Sequence, residues 1–385
     1  MEWKEYSLGD ISKLKYGKNV SAKLCKGPVP IFSGYRKIGT CNTINCKKNT
    51  VIVIARGAGG CGDVKLTKED CFLTNLSISV ELDKGICNAK WFYYNHLLNN
   101  LSFLNSGSAQ PQITIDSLSK YLIRIPPIII QRKIAGILSA LDSKIENNNK
   151  INANLEAQAE ALFKSWFVDF TPFKDQPFVD SELGPIPQGW KVGKLGDYCE
   201  VKSGYAFKSS WWTNKGYKII KIKNISENGD INLNDCSCVL PENCDKAKNF
   251  IANTGDIVIA MTGATIGKFN IIPKIDEKFY INQRVGKFFL GEKPIEKVPY
   301  IYCFLKQENI STQIIQKGQG SAQPNISGAD IESIPMLTPM SIILKYNKMC
   351  QPLFEKILSN RLESKKLSAL RDTLLPKLMS GEIKL

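Results

Sequence analysis

The sequence predicts an α+β (α/β) chain of two globular domains, each followed by a long helix, with the two helices paired as an antiparallel coiled coil. Three observations carry that expectation. The segment Gln131–Phe170 holds a heptad seam, much of the first half of the chain recurs in the second, and a proline-bearing stretch separates the two copies.

The first domain spans 1–127. Within it Val51–Ala55 and Leu76–Val80 read as strands and Trp91–Leu101 as a short helix. A central long helix follows over 128–170. Its seam runs Ile134, Leu138, Leu141, Ile145, Asn148, Asn152, Leu155, Ala159, Leu162 and Trp166, the alternating spacing that keeps one stripe facing a partner helix. No glycine follows Gly136 and no proline interrupts, so one helix of roughly 60 Å fits at 1.5 Å per residue. Residues 171–189 carry Pro172, Pro177, Pro185 and Pro187 and predict a linker, extended or ordered by contacts.

The second domain, 190–338, repeats the first. Trp190, Leu195 and Gly204 each lie 187 positions after Trp3, Leu8 and Gly17, and the strand-like Ile257–Ala260 answers Val51–Ala55. Lys287–Leu290 reads as a strand and Tyr300–Lys306 as a short helix. The string Gly107–Pro111 (GSAQP) recurs unchanged as Gly320–Pro324, now 213 positions on, so the second copy carries longer loops.

The final helix, 339–385, repeats the seam in phase. Leu353, Ile357, Asn360, Ser364, Leu367, Leu374 and Leu378 each lie 212 positions after a seam residue of the central helix. A polar layer of Asn148 and Asn152 is thereby matched by Asn360 and Ser364 at mid-helix. Buried Asn at such positions costs stability and fixes register. Equivalent positions align in a parallel or an antiparallel pair, and the two-fold relation of duplicated halves favours the antiparallel one. Pro376 predicts that this helix kinks or ends near Leu375.

The charge points outward to a partner. There are 51 Lys and Arg against 36 Asp and Glu, a net charge of +15, which favours a polyanion such as nucleic acid. No apolar run approaches the ~18 residues of a membrane span, and the opening MEWKEYSLGD lacks a leader pattern, so a cytoplasmic location is expected. The 12 Cys are then expected as free thiols. Cys41 with Cys46, and the group Cys236, Cys238 and Cys244, do not form paired zinc-ribbon spacings, and His96 is the single histidine.

Gly57, Gly59 and Gly62 follow a strand-like run as G-x-G-x-x-G, which invites a dinucleotide reading. The following DVKLTKEDCF has no amphipathic helical face, and the second copy, Gly263–Lys268, lost the pattern, so a glycine-rich hairpin loop is the favoured reading. His96 alone cannot anchor a triad shared by both halves. No cofactor, metal site or catalytic constellation is expected, and the chain reads as a binding protein. A nucleotide-using enzyme and a protein-joining scaffold are the alternatives.

If two domains read two DNA sequences, residues identical in both copies cannot cause the difference. GSAQP is then scaffold, a turn entering a strand, or a partner contact. The candidates for DNA contact are the loop residues Lys18, Lys23, Arg36, Lys37 and Arg56 in copy one. In copy two they are Lys208, Lys221, Lys223, Lys268, Gln283 and Arg284. Arg and Gln can contact base edges bidentately, whereas most Lys would touch phosphate.

Leu155–Phe170 (LEAQAEALFKSWFVDF), Leu183–Leu195 (LGPIPQGWKVGKL), Leu370–Ile383 (LRDTLLPKLMSGEI), Gly204–Ser209 (GYAFKS), Gly263–Lys268 (GATIGK) and the paired GSAQP resemble the DNA-specificity subunit of type I restriction–modification systems. The resemblance covers nearly the whole chain. It implies a non-catalytic subunit whose two target-recognition domains each read one half of a bipartite, asymmetric site on double-stranded DNA. It implies that the coil sets half-site spacing and that modification (methyltransferase) subunits, two of them, dock and carry S-adenosylmethionine. It further implies a restriction translocase/endonuclease subunit that joins to cleave. Pro376 and Ser364 make the second helix less regular than the family pattern.

Overall fold

A computed structural model of the chain describes residues 3–20, 26–57, 60–106, 111–226, 231–319 and 324–385. Its contacts divide it into two compact units, Met1–Ile145 with Lys366–Leu385, and Glu146–Lys365.

The first unit contains strands β1 (Lys4–Ser7), β2 (Ser12–Tyr16), β3 (Val29–Ser33), β4 (Arg36–Cys41), β5 (Val51–Ile54), β6 (Val64–Leu66), β7 (Phe72–Leu73), β8 (Ser77–Leu82) and β9 (Leu122–Ile125). An antiparallel sheet has the order β2-β8-β5-β6. All four residues of β5 are buried, as an uninterrupted apolar run requires when both faces are covered. A second sheet, β4-β3-β7, joins β3 to β7 in parallel. The two-residue turn Gly34–Tyr35 closes the β3–β4 hairpin with both φ values positive, 51° and 62°, the primed geometry that matches strand twist. β1 pairs with β9, so the two ends of the domain meet. Helix α1 (Ala89–Leu98) starts where the Asn88 side chain accepts from the Lys90 and Trp91 amides. Helix α2 (Ile115–Ser119) carries a Thr114–Ser117 capping box.

In the second unit the described strands are β10 (Phe178–Val179), β11 (Ile186–Pro187), β12 (Val192–Lys194), β13 (Glu200–Ser203), β14 (Trp212–Thr213), β15 (Tyr217–Ile220), β16 (Ser237–Val239), β17 (Ile251–Ala252), β18 (Ile257–Ala260), β19 (Phe269–Ile271), β20 (Phe279–Ile281), β21 (Val285–Phe289) and β22 (Pro335–Leu337). The frame is the same. β13-β21-β18-β19 repeats the antiparallel sheet, β15 and β20 repeat the parallel pairing, and β12 with β22 repeats the closure of domain ends. Residues 171–189 are ordered by contacts: β10 pairs with β11, and Trp190 packs edge-on against Phe170 and Phe173.

Glycine is required where the two sheets meet. A Cβ on Gly17 would overlap the carbonyl oxygens of Leu73 and Thr74, and one on Gly204 would overlap those of Ile281 and Asn282. These are equivalent places in the repeat. The next residue in each copy, Lys18 or Tyr205, donates its amide to Leu73 O at 3.0 Å or to Ile281 O at 2.9 Å.

Two long helices, α3 (Ile128–Phe167) and α7 (Met340–Ser380), contribute to each unit. In the second unit Asn148 meets Ser364 while Ala159 O accepts from the Tyr346 hydroxyl, so the helices run antiparallel there. In the first unit Asp142 binds Arg371 at 2.7 Å, and Ile134 and Leu138 share a core with Leu375, Leu378 and Met379. Helices α4 (Val298–Leu305), α5 (Glu308–Gly318) and α6 (Gly328–Glu332) precede α7, and Ser327 and Asp330 repeat the capping box of α2.

One expectation is corrected. The final helix does not end near Leu375, because α7 continues through Pro376 to Ser380. Pro376 is exposed, whereas Leu375, Leu378 and Met379 are buried. Burial of about 1.5–3 kcal/mol per apolar side chain outweighs the ~3 kcal/mol that proline costs within a helix.

Candidate nucleic-acid interface

In the first unit the candidate residues leave the ends of strands. Lys18 follows β2, and Arg36 and Lys37 open β4 beyond the Gly34–Tyr35 turn; all three are exposed, with no acidic partner among the described residues. The turn is braced beneath them, since Tyr35 stacks on Phe32 at 5.3 Å and donates its hydroxyl to Leu66 O. Lys23 lies outside the described residues, as do Gly107–Gln110 and Gly320–Gln323 of the repeated GSAQP.

Arg56 is held differently. It follows β5, forms an isolated bridge with Gln112, and lies with its guanidinium carbon 6.0 Å from the Tyr16 ring centroid. Its Nε is buried and has no hydrogen-bond partner among the described residues. Of the glycine motif that follows, Gly59 lies outside the described residues. β5 turns back antiparallel into β6 with Gly57, Gly60 and Gly62 at positive φ, and no helix N-terminus follows Gly62 to receive a pyrophosphate.

The second unit places Lys208 beside aromatic surface, its Nζ 5.3 Å from the Trp211 ring centroid. Lys221 is more enclosed: its Nζ lies 3.3 Å from the Trp212 centroid and donates to Ser237 Oγ at 2.9 Å. Burial, with Lys223 nearby, pushes the Lys221 ammonium below the ordinary lysine value. Lys223 is paired with Asp235 at 2.9 Å. Gln283 and Arg284 are exposed on the short connection from β20 to β21, where the Gln283 amide donates to Tyr205 O. Lys268 is half-buried at the start of β19, its amide bonded to Thr265 O.

The frame also indicates residues that composition-led reading missed. Ala55 N donates to Leu76 O, and Met261 N to Arg284 O. Asn75 and Leu76 therefore occupy the places of Gln283 and Arg284. Thr262 forms the bridge to Asn325 that Arg56 forms to Gln112. Thr262, Asn75, Gln112 and Asn325 are uncharged and so carry no signal in the charge pattern; the repeat is the sequence signal that reaches them.

The polar layer of the helices lies in the second unit. Asn148 Nδ2 donates to Glu363 Oε2 at 2.8 Å and Ser364 Oγ at 3.3 Å, and Asn360 Nδ2 donates to Asn152 Oδ1 at 2.8 Å. His96 is buried on α1, with Nδ1 on Phe92 O and Nε2 on the Tyr121 hydroxyl. Among the described residues no group of His, Cys, Asp or Glu could hold a metal ion, and no helix is long and apolar enough to cross a membrane.

Known proteins are similar to this chain in sequence and fold. The family model of type I restriction modification DNA specificity domains matches residues 1–157 and 187–346. The MjaIX specificity subunit of a type I restriction enzyme, from Methanocaldococcus jannaschii, is 30% identical over 88% of this chain and 78% of its own length. The HindI specificity subunit of Haemophilus influenzae is 25% identical over 99% of this chain and 100% of its own. The crystal structure of a type I restriction–modification S subunit from M. genitalium shares the fold, with a TM-score of 0.65 at 20% identity over 98% of this chain and 96% of that one. The duplicated domain, found twice in one chain with its long helices, identifies this protein as a member of the type I restriction–modification specificity subunits, the non-catalytic DNA-recognition component of such systems.

Proposed function

We propose that the chain reads a bipartite, asymmetric site on duplex DNA, with residues 1–127 reading one half-site and residues 190–338 the other. The observation that carries this reading is a backbone frame used twice with different side chains at its loop ends: Lys18, Arg56 and Asn75 in one copy against Tyr205, Thr262 and Gln283 in the other. A net charge of +15 supports a polyanionic partner. Exposed Lys18, Arg36, Lys37 and Lys208 suit phosphate contact, while Gln283 and Arg284 suit base edges. Lys221 and Lys223 are already engaged by Ser237 and Asp235 and serve better to shape their loop.

In this reading α3 and α7 set the half-site spacing, and their outer faces dock two modification subunits, which carry S-adenosylmethionine and transfer the methyl group. A restriction subunit joins that assembly in the cytoplasm. Exchanging residues 1–127 for the corresponding domain of another family member, in the chain expressed with its modification subunit, tests the modular claim. The methylated motif should change in one half-site alone; a motif changed in both halves sinks it.

A further inference from the structure

The repeated frame singles out one pair of positions in each domain. Arg56 bridges Gln112, and Thr262 bridges Asn325. The surrounding hydrogen bonds are the same in the two copies: Ile113 N donates to Ala55 O at 2.8 Å, and Ile326 N to Met261 O at 3.0 Å. In sequence, each bridge partner is the first residue to differ after the identical GSAQP, Gln112 following Pro111 and Asn325 following Pro324. The same backbone bridge therefore carries different side chains in the two copies.

A second observation concerns the other side of the bridge. Arg56 Nε and Thr262 Oγ1 are both buried with no hydrogen-bond partner among the described residues. Buried polar side-chain atoms are nearly always paired, so two orphans at one repeated position ask for a common cause. Each side chain turning outward onto a bound ligand, where the group gains the partner it lacks, is such a cause. Thr262 and Asn325 carry no charge, so the position is not a general phosphate clamp. Arg, Gln, Thr and Asn instead share the hydrogen-bonding groups that distinguish base edges, with Gln and Asn matching adenine and Arg matching guanine.

We propose that Arg56 with Gln112, and Thr262 with Asn325, are the specificity-determining pairs of the two domains, each donating to base edges of its own half-site. The proposal rests on the bipartite reading given above. Tyr16 acts in copy one as a positioning residue: its ring lies beside Arg56 and its hydroxyl accepts from Ile115 N at 3.2 Å. Ser203 takes its place in copy two, where the shorter Thr262 has no long side chain to steer.

The test uses the full chain expressed with its modification subunit, with methylated motifs read by single-molecule sequencing of host DNA. Arg56→Thr combined with Gln112→Asn places the second pair on the first frame. It should alter one or two base pairs of the first half-site and leave the second half-site and the spacing unchanged. Thr262→Val keeps the side-chain shape and removes the hydroxyl. It should relax one base pair of the second half-site, with a loss of discrimination of about ten- to a hundredfold. If the double variant is inactive because it does not fold, Thr262→Val decides alone. An unchanged motif methylated to the wild-type extent overturns the proposal, as does a change in both half-sites. Wild-type chain that directs no bipartite motif would instead refute the functional reading on which it rests.

Discussion

Asn360 donates its side-chain amide to the Asn152 carbonyl oxygen across 2.8 Å, with both residues buried between two antiparallel helices. An apolar residue at either position would pack, but only this register pairs the two amides. Asn360→Leu alone should cost about 1–3 kcal/mol, because it strands a buried polar group. Asn152→Leu with Asn360→Leu should recover most of that loss while loosening register. Urea unfolding of both variants checks this, and equal stability of the single variant and wild type would count against the buried pair.

A buried ion pair distinguishes the two copies. Lys287 Nζ lies 2.6 Å from Asp256 Oδ2, and the side chains are 7% and 2% exposed. Burial raises the Asp256 carboxyl, and Lys287 opposes that rise. The first copy has Ser79 and Thr50 at these positions. Lys287→Ser alone should cost about 3–5 kcal/mol by leaving a buried charge unpaired. Adding Asp256→Thr, which copies the first domain, should restore most of it. Denaturation midpoints of the single and double variants provide the comparison.

His96 predicts a pH response. Burial holds its imidazole down at about 4, against an ordinary 6.5. The unfolded chain therefore takes up a proton that the folded chain refuses. Stability from this site is fully present above pH 6.5 and is lost as pH falls toward 4, by about 1.4 kcal/mol per pH unit. The stability difference between wild type and His96→Leu should shrink or reverse over that window, measured by urea unfolding at successive pH values. A difference independent of pH contradicts it.

Gly17 and Gly204 make a matched pair of tests. Alanine at either should destabilise its own domain by about 3 kcal/mol, since the added Cβ meets backbone carbonyls that cannot rotate away. Hydrogen exchange resolved by residue should show the loss in the mutated domain first. A thermally neutral Gly17→Ala would mean that the two sheets can separate there at little cost.

The duplication was legible because identical strings such as GSAQP and the in-phase seam survive in both copies. The seam and the apolar runs show the central helix and the central strands, and the duplication adds the second helix and the matching polar layer. The parallel pairing was not legible: β7 is two residues long, and its partner β3 lies some 40 positions earlier in sequence, with no local pattern to join them. Helix α7 outran its expected end because tertiary burial of Leu378 and Met379 overrides the local effect of Pro376. At the interface, charge marks Lys221, which the fold encloses against Trp212 and Ser237, and Lys223, which pairs with Asp235 at the surface, but not Thr262 and Asn325, which the fold sets opposite each other. Sequence gives the residue types at a loop, whereas the hydrogen-bond frame decides which of them face outward.

The central claim, that this chain selects the DNA its system modifies, is tested most directly by methylation mapping. Host DNA is sequenced at single-molecule level after expression of the modification subunit with and without this chain. One bipartite motif, methylated only when the chain is present, is the predicted result. A methylation pattern unchanged by its removal would contradict the account.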